Sequence, residues 1–341
     1  VEHGRACYYV VVEDIAILLD CGINKDNGTM PMIDYNKIKS VDYAFLSHSH
    51  EDHSQGFIEL IKQGICIKTF MSQETGRQLG EMYASDLEGQ VYDFVYNEEK
   101  ALPLQWIVIN ENFSFSYGSS GHMLGGVWFM LKLYNRILFY SGDYNREARV
   151  LPFHDPSDLS HIGEVDFAIV DCALGCEAVT YHEKLAEIYR CVDLKLQESG
   201  KIMLPCTPYS KIVEVVVLLR KYFPNQRFMY HSDIYSELHH LVRENEALAM
   251  AFSDAGKNQV IQSYDELRRG DYDLAFTQVI CDVSSNYADY IKTFLQEESN
   301  QVLLLTRQCF GEKNQALNQL TKGMKDQMLS FNIKSHQGIE G

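Results

Sequence analysis

Six consecutive residues, His48-Ser49-His50-Glu51-Asp52-His53, constrain this chain more than any other feature. Three imidazoles and the Asp52 carboxylate are crowded there, directly after the apolar run Tyr43-Ala44-Phe45-Leu46. Imidazole nitrogen and carboxylate oxygen suit Zn²⁺ and similar divalent ions. A buried strand ending in this cluster holds such ligands on a stiff loop at a sheet edge, where active sites usually sit. Alternation sends His48 and His50 to one side and leaves Asp52 and His53 to turn toward a neighbouring position. Two adjacent metals need that layout. A polar turn made histidine-rich by chance is the alternative, and the density of the HxHxDH pattern argues against it.

The 341 residues exceed one typical domain and suggest two. Nine cysteines show no regular spacing and no CxxC, and the start is not signal-like, so the expectation is a reduced intracellular protein, cytoplasmic or, if eukaryotic, nuclear. The lack of an initiator Met points to a chain that begins inside a longer product or has been trimmed. The longest apolar run, Val213 to Leu219 broken by Glu214, is too short to span a membrane, so no membrane partner is expected. A net charge of −17 without a dense Lys/Arg block counts against non-specific binding to a polyanion. A metal-lined cleft still accepts one, because bound divalent ions reverse the local field.

In chain order, Ala6 to Val12 and Ile15 to Leu19 predict a hairpin turning at Glu13-Asp14. Its second strand delivers Asp20 to a strand end before Gly22; taken alone, a turn-capping aspartate is the commoner role. Val41 to Leu46 is the strand feeding the metal loop, and Ser54 to Gly64 reads as a helix. Ile65 to Met71 is a strand, and Ser72 opens a further helix. Strands then bracket Gly121-His122-Met123-Leu124-Gly125, and another ends in Ser141-Gly142-Asp143. His122 and Asp143 supply the third histidine and the shared carboxylate that a dinuclear site requires.

These motifs, LLDCGIN, LSHSHEDHS, GHMLG and SGDYNRE, resemble in order those of the metallo-β-lactamase fold, and more narrowly its β-CASP nuclease branch. They are similar to the nuclease subunit of the cleavage and polyadenylation factor and to its bacterial and archaeal relatives. The resemblance implies an α/β fold: a four-layer αββα metallo-β-lactamase sandwich with an inserted α/β β-CASP-like cap domain. Residues 1–175 are then the first part of the sandwich, 176–326 the insert, and 327–341 the return. Asp171, in DCALG, sits where the branch carries an acid, and 307–320 resembles the returning segment. His336 fits the first of two late histidines, usually assigned as a proton donor; the second, a metal ligand, has no counterpart before Gly341.

By the same resemblance, His48, His50 and His122 hold one Zn²⁺, Asp52 and His53 hold a second, and Asp143 bridges. Mn²⁺ is an alternative ion. Asp20 orients a ligand histidine through its other ring nitrogen. Asp52, Asp171 and His336 form the catalytic set, a metal-bridged hydroxide being the nucleophile and the His336–Asp171 pair the proton source. The implied reaction is hydrolysis of single-stranded RNA to a 3′-hydroxyl and a 5′-phosphate, by a homodimer or a processing-complex subunit. Competing readings are a DNA nuclease of the same branch, a small-ester or thioester hydrolase, and a catalytically silent scaffold subunit. Tyr144, beside Asp143, is a candidate for stacking on a base, and His154 a candidate loop over the site mouth.

Overall fold

Strands β1 (Tyr8–Val12) and β2 (Ile15–Leu19) pair antiparallel around a turn in which Glu13 takes a left-handed φ of 54°. From β2 the sheet continues with parallel neighbours β3 (Tyr43–Phe45), β4 (Thr69–Met71) and β5 (Phe94–Tyr96). A second sheet is an antiparallel meander, β6 (Ile107–Asn110), β7 (Phe113–Ser119), β8 (Val127–Leu133) and β9 (Arg136–Tyr140), with β10 (Phe167–Ile169) added parallel to β9. The computed structural model describes residues 5–24, 27–65, 67–87, 94–96, 102–173, 175, 179–243, 246–254, 256–278, 286–305, 327–331, 333 and 336.

The period of two along each strand explains how the first unit packs. Ile17, Leu19 and Phe45 point from the first sheet toward Phe113, Phe115, Phe129 and Leu131 of the second, forming one shared core. Leu18, Ala44 and Leu46, of opposite parity, meet Phe57, Ile58, Ile61 and Leu79 on helices α2 (Glu51–Lys62) and α3 (Gln73–Met82). Short helices α1 (Tyr35–Lys39) and α4 (Ala84–Leu87) and a 3₁₀ turn at Pro156–Asp158 complete the described helices of this unit. On the second sheet's outer face, Trp128, Met130 and Ile137 are covered by Leu159, Trp106 and Ile162.

The chain divides into two compact units, Val1–Cys176 with Ser335–Gly341, and Glu177–Lys334. The second is an α/β unit on a six-stranded, all-parallel sheet of order β13-β12-β14-β11-β15-β16. Its strands are β11 (Ile202–Pro205), β12 (Phe228–His231), β13 (Asn258–Ile261), β14 (Leu274–Thr277), β15 (Gln301–Leu304) and β16 (Met328–Ser330). Its helices are α5 (Tyr181–Gln197), α6 (Ile212–Tyr222), α7 (Ser232–Val242), α8 (Glu246–Ser253), α9 (Tyr264–Arg269) and α10 (Asn286–Phe294). Helix α5 is started by a capping box between Thr180 and Glu183. Residues 327–334, expected in the returning part of the first domain, belong to this second unit. The reason is a ladder in which Val302, Leu303 and Leu304 pair with Met328, Leu329 and Ser330. The proposed returning segment 307–320 lies outside the described residues. Among the described residues no helix is long and apolar enough to cross a membrane.

The tightest backbone approach in the first unit is at Gly22, where an added Cβ would lie 1.6 Å from the Asp52 carbonyl oxygen. Gly80, on α3, has nothing within 4 Å of the same position. Opposite outcomes are expected from two identical substitutions. Gly22→Ala should destabilise the protein by about 1–3 kcal/mol or more through forced displacement of α2. Gly80→Ala should stabilise it by roughly 0.5–1 kcal/mol through helix entropy. Urea titration of the two variants beside the parent checks both signs.

Candidate metal centre

Every candidate ligand lies just past a strand end or at a helix start. Strand β2 is fully buried and runs straight into Asp20, which adopts a left-handed φ of 51°. Aspartate tolerates that conformation better than most residues. The turned backbone donates from Asp20 N to the Phe45 carbonyl at 2.9 Å, fastening β2 to the start of the histidine loop. His48 and His50 follow β3 directly, and His50 is the N-cap residue of α2. The helix therefore starts three residues earlier than the apolar spacing predicts, and Asp52 and His53 occupy its first turn. A helical turn, not a loop, rotates them away from His48 and His50, and acidic residues there suit the helix dipole.

The loop carrying His122, between β7 and β8, is tied to the histidine loop by buried polar contacts. Ser49 Oγ donates to Gln78 Oε1 at 2.6 Å, and Gln78 Nε2 donates to the Leu124 carbonyl at 3.1 Å. Ser72 Oγ donates to the Gly125 carbonyl at 2.6 Å, and Val127 N to the Ser47 carbonyl at 2.9 Å. Asp143 follows β9 through Gly142, whose φ is +51°. A Cβ on Gly142 would lie 2.5 Å from the Ser47 Cβ, so glycine is what lets Asp143 reach the histidines.

The donor atoms then converge. His48 Nε2 and His50 Nδ1 are 3.0 Å apart, and His50 Nδ1 and His122 Nε2 are 3.2 Å apart. Asp143 Oδ2 stands 3.4 Å from His122 Nε2 and 3.6 Å from His48 Nε2. Zinc bonds of about 2.0–2.1 Å in a tetrahedron separate neighbouring ligand atoms by about 3.3 Å. These four spacings bracket that edge length, so the donor set fits a divalent ion. The other Asp143 oxygen, Oδ1, lies 3.2 Å from His53 Nε2, giving a second pair of donors on the far side of the same carboxylate. Asp52 precedes His53, with its Oδ1 shielded from solvent.

Hydrogen bonds fix which nitrogen each ring presents. Asp20 is fully buried and accepts from Ser47 N at 2.7 Å, Ser47 Oγ at 2.7 Å, His53 Nδ1 at 2.6 Å, and the Tyr140 hydroxyl. Because the Ser47 hydroxyl proton goes to Asp20, Ser47 Oγ is left to accept from His48 Nδ1 at 2.9 Å. On both rings Nδ1 is thus the hydrogen-bonded nitrogen, and Nε2 is the one turned toward the cluster. Burial and the neighbouring His53 hold His48 well below the usual histidine range. Burial opposes protonation of His53 too, but the Asp143 and Asp20 carboxylates raise it well above that range. Asp143, despite burial, is held well below the usual carboxylate range by His53, His336 and His122.

Asp171, beyond β10, accepts from His336 Nδ1 at 2.8 Å, from Tyr144 N at 3.2 Å and from Ala173 N at 2.8 Å. The His336 ring packs 4.8 Å from that of His122, and its Nδ1 is 3.6 Å from Asp143 Oδ2. His48, His50, His122 and Asp143 form one group able to hold a metal ion, and Asp143, Asp171 and His336 another. All the named site residues therefore fall in the first unit. Reading the sequence missed Ser47, Gln78 and Tyr140, whose roles rest on contacts with partners far along the chain. His154 is a structural tie: its Nδ1 accepts from Ser119 N at 3.0 Å and its carbonyl from Trp128 Nε1 at 2.8 Å.

Two facing sheets with this centre at their strand ends define a metallo-β-lactamase domain, a class of metal-dependent proteins. Residues 2–85 match the metallo-beta-lactamase superfamily. Among the more similar proteins is an RNase J-like protein of Methanocaldococcus jannaschii, 24% identical, over 94% of this chain and 79% of the relative. Cleavage and polyadenylation specificity factor subunit 3-I of Arabidopsis thaliana is 22% identical over 69% of this chain, and endoribonuclease ysh1 of Schizosaccharomyces pombe is 22% identical over 66%. The chain spans only 36% and 31% of the length of those two. A crystal structure of a protein of unknown function from Enterococcus faecalis superposes with a TM-score of 0.54 at 14% identity, over 98% of this chain and 86% of that one. It supports the fold alone.

In metal-free protein the His336 ring should be charged at neutral pH. Burial works against this, but Asp143 and Asp171 raise it to about 9. Since the folded value exceeds the unfolded one, this stabilisation is complete below about pH 6.5. It is lost as pH rises through about 9. NMR titration of the ring in chelator-treated protein checks the midpoint. Zinc loading should lower it, because an ion on Asp143 takes up the charge that supports the imidazolium; an unmoved midpoint would contradict this.

Proposed function

We propose that this chain is a zinc-dependent nuclease that hydrolyses RNA phosphodiester bonds. The observation that carries the reading is the pairing of a divalent-ion donor set with a separately held proton source. His48, His50, His122 and Asp143 would hold one ion, and Asp52, His53 and Asp143 a second. When bound, zinc supplies Lewis acidity that makes a hydroxide nucleophile available near neutral pH and offsets charge growing on phosphoryl oxygens. Asp20 keeps the ligand lone pairs of His48 and His53 aimed inward.

Asp171 receives the Nδ1 proton of His336 at 2.8 Å, which leaves the Nε2 proton as the one to transfer. A departing sugar oxygen needs such a proton as its bond to phosphorus breaks. His336 then returns to the charged form by drawing a proton from water, with the hydrogen-bonded Asp171 carboxylate favouring that state. The RNA assignment is supported by the relatives named as an RNase J-like protein and an endoribonuclease. Single-stranded RNA is the first substrate to test and single-stranded DNA the second.

Elemental analysis of protein purified without chelator should find about two zinc ions per chain. Asp143→Ala should lower both zinc content and cleavage, the latter by several orders of magnitude. His336→Ala should keep the zinc and reduce cleavage by about 10²–10⁴-fold, the range for a lost general acid. A fall in zinc on losing His336 would make it a ligand instead. Metal-loaded protein that spares both nucleic acids but hydrolyses a small thioester would overturn the nuclease reading. Protein that cuts nothing would favour a scaffold.

A further inference from the structure

Tyr8 is a partly exposed aromatic side chain beside the candidate centre. Tyr8 opens β1 and stands opposite Leu19, one residue short of Asp20. Val10 and Val12, on the same side of β1, pack into the core between the two sheets. The strand period therefore turns Tyr8 toward that same interior, but at the end where the core gives way to the metal site. Its ring meets the edge of Tyr140 at 5.8 Å and 63°, and Tyr140 in turn donates to Asp20. A core residue in this position would be covered, yet Tyr8 is 40% exposed. Among the described residues no hydrogen bond holds its hydroxyl. Burial, together with Asp20, Asp143 and Asp171, raises its phenol above the usual tyrosine range against the opposing pull of His53, so the ring is neutral and lies within the field of these three carboxylates.

Tyr144, named from the sequence as a candidate for stacking on a base, is placed differently. Its ring packs edge-on against Phe153 at 5.4 Å and joins the cluster around Trp128 on the second sheet's outer face. Tyr144 is therefore built into the scaffold.

We infer that Tyr8 contacts the substrate directly, its ring serving as the stacking platform for a nucleobase next to the scissile phosphate. The inference rests on the nuclease reading above. A ring backed by Tyr140 is already fixed, so stacking loses little side-chain freedom, and any base presents a π-face to it. Such a contact gives tolerance of sequence with a preference for unpaired strands, since a base in a duplex is not free to stack.

The test compares zinc-loaded wild-type, Tyr8→Ala and Tyr8→Phe proteins on a single-stranded oligoribonucleotide and on methyl p-nitrophenyl phosphate, a diester with no base. Tyr8→Ala should raise KM for the oligonucleotide by about 5- to 150-fold, the span for losing one stacked base, while kcat changes little. Its loss of kcat/KM should be at least about fivefold larger on the oligonucleotide than on the small diester. Tyr8→Phe, which keeps the ring, should restore KM to within about twofold of wild type. Equal losses on both substrates, an unchanged KM in Tyr8→Ala, or a Phe variant as impaired as Ala would each overturn the stacking role. Wild-type protein that neither binds nor cuts the oligonucleotide would overturn the nuclease reading together with this one, so the two failures are told apart by the wild type alone.

Discussion

One buried carboxylate holds the candidate metal centre in register. Asp20 has no exposed surface and takes four hydrogen bonds, from Ser47 N, Ser47 Oγ, His53 Nδ1 and the Tyr140 hydroxyl. A buried anion is costly unless its lone pairs are filled, and here they are filled by groups from β9, the histidine loop and the first turn of α2. Removing any one donor would loosen the junction of both sheets. The same bonds choose the ring tautomers, so the group that fastens the strands also prepares the ligands. Structure and chemistry share a single residue.

Around that anchor the two sheets bring imidazoles and carboxylates to one edge. The first supplies His48, His50 and His53, and the second supplies His122, Asp143 and Asp171. His48 is kept neutral by burial and by neighbouring histidines, whereas His53 and His336 are drawn toward the charged form by carboxylates. Chemically identical side chains are thus separated into different proton states by their neighbours. His48 and His336, in two donor groups that share Asp143, are thereby held in different proton states.

The second unit follows another logic. Its six strands are all parallel, and the central ones are buried throughout, as parallel sheets flanked by helices require. Buried runs such as Ile202–Pro205 and Leu274–Thr277 read as continuous apolar segments, which makes their existence legible but hides their order. Nothing in the chain order announces that β14 lies between β12 and β11, or that β16 joins β15 and not the first unit. Sheet order depends on which helix packs on which face, and that is settled by contacts distant in sequence.

The sequence by itself determined the candidate donor types, their grouping near strand ends and the hairpin that delivers Asp20. Dense local patterns such as HSHEDH and SGD carry that information because neighbouring residues must share one loop. The pairing of Asp171 with His336 was suggested by family resemblance, yet the 2.8 Å contact joining residues so far apart exists only in the folded chain. Ser47, Gln78 and Tyr140 were invisible for the same reason: serine, glutamine and tyrosine are common, and their roles come from partners across the sheets. Tyr8 and Tyr144 make the point most plainly. Strand parity and the ends of two cores leave the Tyr8 ring exposed beside the candidate ligands and pack the half-buried Tyr144 ring against Phe153. Chemistry written in a short motif is read from the chain; the side chain left uncovered is decided by packing, which sums over the whole fold.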